Sequence, residues 1–263
     1  MKALEASAAL LLMAAAAAYL AAWVTALFDR WRESAALAAA AWVLNAALFG
    51  LNWVVAGEPP FGNMYHVMVF LALTFLPLRA ALARGPEFAW LRPSFLAAAA
   101  LPLVGALFMD RAIDWKRLPA LQSPWFVPHV TAYLISYALA TIAFFLAAAR
   151  LIRKALGKAA DADRYETAGH RLLRFAFPFM TFGLVSGALW ADAVWGGYWS
   201  WDPKETWSLI TWLLYALYFH CRASSGQRRF ADTVQLVAFL ALLITFLVVN
   251  LLPHFGGGLH SYA

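Results

Sequence analysis

The chain has 263 residues, of which 64% are hydrophobic and only 13% charged. A soluble domain of this length carries about a quarter of its residues charged, so the composition points into a bilayer rather than to a dispersed globule. The formal net charge is +6, but the basic residues fall between apolar runs instead of forming a stripe or arm, and this excludes nucleic-acid binding. One cysteine, Cys221, rules out an intrachain disulfide, and the chain has no C-x-x-C-H sequence for covalent heme attachment.

About 20 apolar residues are needed to cross the hydrocarbon core as a helix. Eight stretches qualify, at 8–28, 36–56, 64–83, 93–109, 128–150, 172–193, 204–221 and 232–252. The first follows Lys2 and exceeds the roughly 7–15 residues of a secretory core, so it reads as a retained helix rather than a cleaved signal. None of the stretches alternates like a barrel strand. The expectation is an all-α integral membrane protein of about eight transmembrane helices, one polytopic domain over 1–263.

Orientation follows from the loops. Arg30, Arg32, Arg79, Arg84, Arg92, Arg150, Arg153, Lys154, Lys158, Arg164, Arg171, Arg174, Arg222, Arg228 and Arg229 flank one side, which makes 15 of the 20 basic residues. Lys2, Arg111, Lys116, Arg117 and Lys204 flank the other. The positive-inside rule then sets both termini outside the cytoplasm, with the 195–207 loop extracytoplasmic in a cell (inner or plasma) membrane. In the sixth stretch Gly183 and Gly187 make a small-xxx-small pair, the pattern of a close helix contact. The link 151–171 reads as charged and solvated.

Between the sixth and seventh stretches the chain runs Trp195-Gly-Gly-Tyr-Trp199-Ser-Trp201-Asp202-Pro203-Lys204-Glu205-Thr206-Trp207. Asp202 suits an N-cap, Pro203 the first helical position and Glu205 the third, so a capping box is expected to start helix seven. Trp190, Trp195, Tyr198, Trp199, Trp201, Trp207 and Trp212 crowd the same region, with Gly196 and Gly197 open to close backbone approach. An aromatic belt at the membrane interface is one reading. A platform for a flat, apolar, π-rich ligand, with porphyrin the obvious candidate, is the other, and the local density favours it.

Six histidines are available, and a neutral imidazole is a good axial ligand for heme iron. His129 opens the fifth stretch and His260 lies just beyond the eighth, both on the loop's side by topology; each could equally be an interfacial or capping residue. His220 lies seventeen residues past Pro203, roughly 25 Å further in at about 1.5 Å per residue. There an ionisable group is rare unless functional. His170 is expected to be solvated in the basic link and His66 interfacial, and His254 follows Pro253.

The loop, with Ile210-Thr-Trp212, Tyr218-x-His220 and Gly258-Leu-His260-Ser-Tyr262, resembles the CcsA (ResC) family of System II cytochrome c biogenesis, heme-handling proteins named for a Trp-Trp-Asp loop. The resemblance covers the second half of the chain in detail and the first half in helix count. It implies a heme-handling subunit of a cytochrome c synthase, one that moves heme to the outer face and presents it to apocytochrome c for thioether attachment at C-x-x-C-H. It implies non-covalent heme b held outside by His129 and His260 beside Trp195, Trp199, Trp201, Asp202 and Trp207. It also implies a second heme site at His220, completed by a separate CcsB (ResB)-type membrane partner. The segment Pro253-His-Phe-Gly-Gly-Gly258 is longer than the family pattern, so His254 competes with His260, whose flanking residues match better. Lys204, Arg111, Lys116 and Arg117 are candidates to meet heme propionates. A heme chaperone or exporter without a ligase role, or a transporter of another apolar ligand, are the alternative readings.

Overall fold

The computed structural model describes residues 2–82, 85–110, 119–157 and 162–249. Among the described residues every regular element is helical. The eight long helices are α1 (Lys2–Leu27), α2 (Trp31–Ala56), α3 (Met64–Leu82), α4 (Arg92–Ala106), α5 (Phe126–Ala155), α6 (Ala162–Trp195), α7 (Pro203–Ala223) and α8 (Ala231–Leu243). Each overlaps one of the eight apolar stretches. Seven of these helices, α4 and α8 counted with their flanking turns, are long and apolar enough to cross a membrane. The exception is α7, whose apolar residues are interrupted by Lys204, Glu205, Thr206, Ser208, Thr211 and His220. The chain falls into two compact units, Met1–Gln122 and Ser123–Ala263.

In the first unit α1 packs against α2 and α4, and α3 against α4 and α2. The buried face of α1 is Ala8, Leu12, Ala15, Ala16, Tyr19, Ala22 and Ala26. Small side chains at helical spacing let backbones approach closely, which is how helices associate where lipid provides no hydrophobic drive. Interhelical hydrogen bonds add to it: Ser34 donates to Ala22 O at 2.9 Å, and the Trp42 indole donates to Leu73 O at 3.0 Å. His66 is buried within its unit. It opens α3, is 1% exposed, and neither ring nitrogen has a hydrogen-bond partner among the described residues.

In the second unit α5 lies along α6, α7 along α8, and α8 also meets α5. One end is closed by a buried ionic cluster. Arg150 on α5 donates to Ala162 O at 3.1 Å, to Asp232 on α8 and to Glu166 on α6. Arg222 on α7 pairs with Glu166, and Arg228 donates to the same carboxylate at 2.9 Å. Arginines that read in the sequence as topology signals are therefore also the tie between four helix ends. Each carboxylate of the cluster meets a cation, as burial of charge demands.

The largest departure from expectation is at 151–171. Helix α5 runs on to Ala155 and α6 already begins at Ala162, so His170 is helical, not part of a solvated link. It is half-buried, its Nδ1 lies 3.2 Å from the Tyr218 hydroxyl, and its ring packs against Tyr218 and Phe219. An apolar-span search ends where charges begin, whereas α5 and α6 run on into the charged stretch, where Arg150 of one and Glu166 of the other neutralise each other.

Candidate functional site

The capping box at the head of α7 is formed as the sequence predicts. Asp202 is the N-cap, its side chain accepting from Lys204 N at 2.9 Å, and Glu205 returns a bond to Asp202 N at 3.3 Å. Glu205 does more than a box requires. The same Oε2 accepts from Ser200 N at 2.8 Å and Ser200 Oγ at 3.1 Å. Between these anchors Trp201 has φ +60°, a left-handed conformation that costs a bulky L-residue of order 1–2 kcal/mol. Its indole is 70% exposed, with the Trp199 ring edge-on at 5.7 Å. Gly196 has φ +76°. Neither Gly196 nor Gly197 has any atom within 4 Å of the position a Cβ would take. Gly196 serves a left-handed backbone conformation, and the space above both glycines is open.

The tryptophan cluster separates into distinct roles. Trp212 stacks on Phe177 and donates to Thr181 Oγ1 at 2.9 Å, so it packs α7 onto α6. Trp190 is buried beneath the loop and meets the Trp195 ring at 4.9 Å. Trp195, Trp199, Trp201 and Trp207 remain as the loop's own aromatics.

His129 reaches this end through Trp190, on which it stacks at 5.8 Å and 26°. Its Nδ1 lies 2.8 Å from Gly183 O. A carbonyl only accepts, so Nδ1 carries the proton, and in the neutral ring the lone pair belongs to Nε2. An N–H held by a backbone carbonyl is the usual support of a metal-binding histidine. The seat is cut by the two glycines. A Cβ at Gly187 would fall 2.6 Å from His129 Cε1, and one at Gly183 would fall 2.9 Å from Tyr133 Cδ2. The small-xxx-small pair thus does make a close helix contact, but what it admits is two aromatic rings from α5.

His220 lies at the far end of α7. It is exposed, in line with exposed Leu213 and Leu217 at helical spacing. This stripe faces away from the helices of its unit. His260 and His254 lie outside the described residues, as do Arg111, Lys116 and Arg117. Gly187 and Glu205 are the neighbours that residue-type reasoning did not assign to the site. Aromatic residues four apart at 129 and 133, facing glycines four apart at 183 and 187, were the available signal for the first.

Residues 61–255 match the family described as Cytochrome C assembly protein. The chain belongs to the cytochrome c assembly protein family. Among its relatives are proteins named cytochrome c biogenesis protein CcsA. That of Chlamydomonas reinhardtii is 35% identical over 84% of this chain and 65% of its own length. Those of Mesostigma viride and Synechococcus elongatus are 33% and 32% identical and are covered over 82% and 83% of their lengths. This chain thus spans just under two thirds of the Chlamydomonas relative. The fold of the cytochrome c assembly family extends to a solved structure titled Cytochrome c Heme Lyase CcmF. The two align with a TM-score of 0.70 at 18% identity, over 92% of this chain and 46% of the other.

Proposed function

We propose that this chain is the heme-handling subunit of a cytochrome c synthase, carrying heme to the outer face of a cell membrane and presenting it to apocytochrome c. The observation that carries the reading is the seat of His129. A histidine with its Nδ1–H tied to Gly183 O and its ring stacked on Trp190, one ring away from the Trp loop, is built like an axial ligand. The residues fit heme as substrate: His129 and His260 take the axial positions, and Trp195, Trp199, Trp201 and Trp207 line the porphyrin, with Asp202 fixing the loop from behind. Binding is non-covalent, and the porphyrin is heme b, whose vinyl groups are intact.

His220 belongs to a second heme site, and its outward-facing stripe suits completion by a histidine of a CcsB (ResB)-type partner. The basic-residue split puts the Trp loop and both termini on the extracytoplasmic side. The chain contributes positioning. Each substrate thiol adds across a heme vinyl group, sulfur bonding to one carbon and hydrogen to the other, so no atom leaves. The apocytochrome histidine replaces one of the chain's axial ligands, and the product departs.

Purification from heme-producing cells together with its partner is expected to yield a complex with a Soret band. A heme-free wild-type complex refutes the reading. The synthase role is tested by mixing complex, heme and apocytochrome. Thioether formation that proceeds equally without this chain would leave it a heme chaperone or exporter.

A further inference from the structure

We infer that Glu205 is the positioning residue of the Trp loop, setting Trp201 outward as a pre-formed face for the flat ligand; this rests on the heme reading for the ligand's identity. The argument starts from surplus. A capping box needs one bond from the third-position carboxylate to the N-cap amide, and the Glu205–Asp202 bond supplies it. The two bonds to Ser200, 2.8 Å from its amide and 3.1 Å from its hydroxyl, do nothing for the helix end. What they do is fix the backbone on the other side of Trp201. One carboxylate oxygen therefore grips the residue before and the residue after it.

Trp201 is held there in the left-handed region at φ +60°. Residues that are neither glycine nor a short polar type stay in that region only when their surroundings over-determine them. The Thr206 hydroxyl adds a bond to Trp201 O at 3.3 Å. The consequence is visible in exposure: Glu205 is 9% exposed and Asp202 6%, while the indole between their anchors is 70% exposed. A large apolar ring aimed away from a buried carboxylate support is an arrangement for meeting something apolar. The bonds hold the backbone on both sides of Trp201, so the ring's point of attachment is set before the ligand arrives and less ordering is left to binding.

The test uses the full chain with its partner, in wild type, Glu205→Ala, Glu205→Gln, Trp201→Ala and the Glu205→Ala/Trp201→Ala double variant. Amide hydrogen exchange reads the grip without any ligand. Ser200 and Asp202 amides are expected to be protected in wild type and to lose protection in Glu205→Ala, with partial protection in Glu205→Gln, whose carbonyl still accepts. Unchanged protection in Glu205→Ala overturns the inference. Heme content reads the consequence. Glu205→Ala is expected to lower copurified heme roughly tenfold, the effect of a lost bond to a charged group, and the double variant to lose no more than either single one. Additive losses mean that Glu205 acts through the helix rather than through Trp201, and they overturn the inference as well. A wild-type complex without a Soret band refutes heme as the ligand, and exchange then decides the grip alone.

Discussion

Gly187→Ala is the sharpest perturbation the structure offers, because it reaches His129 without touching it chemically. The new methyl would lie 2.6 Å from Cε1 and 2.9 Å from Nδ1 of the ring. Carbon atoms rest at about 3.5–4.0 Å, so the ring must retreat by about 1 Å. It has nowhere cheap to go, with Tyr133 edge-on at 5.0 Å, Trp190 stacked at 5.8 Å and Nδ1 tethered to Gly183 O at 2.8 Å. A shift of that size stretches the tether beyond hydrogen-bond range. The lost bond costs about 1 kcal/mol and the overpacking about 1–3 kcal/mol. Against this, exchanging a helical glycine for alanine gains about 0.5–1 kcal/mol. The net is a loss of about 1–3 kcal/mol, falling on the orientation of the proposed axial ligand. Heme content should drop, the low-spin two-histidine spectrum should weaken, and the melting temperature in detergent should fall. Gly183→Ala is the control: its methyl meets the Tyr133 ring at 2.9 Å, so stability falls while the retained heme keeps its spectrum. A Gly187→Ala protein with wild-type heme content, spectrum and melting temperature would refute the reasoning.

Three further outcomes are expected. His220→Ala removes the inner part of a two-component heme spectrum and leaves stability unchanged, because the side chain is exposed and packs nothing in its unit; a single-component loss at the outer site instead would show the assignment reversed. Arg150→Ala strands the buried Asp232 carboxylate, while Glu166 keeps Arg222 and Arg228, and lowers unfolding stability by about 3–5 kcal/mol. Arg150→Lys does not restore it, because one ammonium cannot reproduce a guanidinium that bonds Ala162 O, Asp232 and Glu166 together; a full rescue in thermal unfolding would contradict this. Trp212→Phe loses the bond to Thr181 at 2.9 Å, yet Thr181 still donates to Phe177 O at 2.9 Å. The cost is therefore at the low end, about 0.5 kcal/mol, and a loss several times larger in the same assay would disprove it.

How much of this could be read along the chain depends on the range of the force responsible. Seven of the eight helices were legible because a bilayer demands a full apolar span for each crossing, and that demand is written in consecutive residues. The head of α7 was legible for the same reason at shorter range: Asp202, Pro203 and Glu205 meet the backbone within one turn. What failed was anything decided by charges pairing across helices. Glu166 and Arg150 look like the edge of a loop until Asp232, Arg222 and Arg228 close around them, and His170 was misread with them. Gly183 and Gly187 announced a close contact but not its occupants, which are the Tyr133 and His129 rings on α5, 50 and 58 residues away. The Trp loop is the mixed case. Its aromatics and its capping box are properties of the sequence. The separation of Trp190 and Trp212 from the exposed Trp201, the left-handed turn gripped by Glu205, and the stacking that brings His129 beneath the loop belong to the packed structure. Each requires side chains distant in sequence, or a strained backbone held from both sides, and no local propensity encodes either.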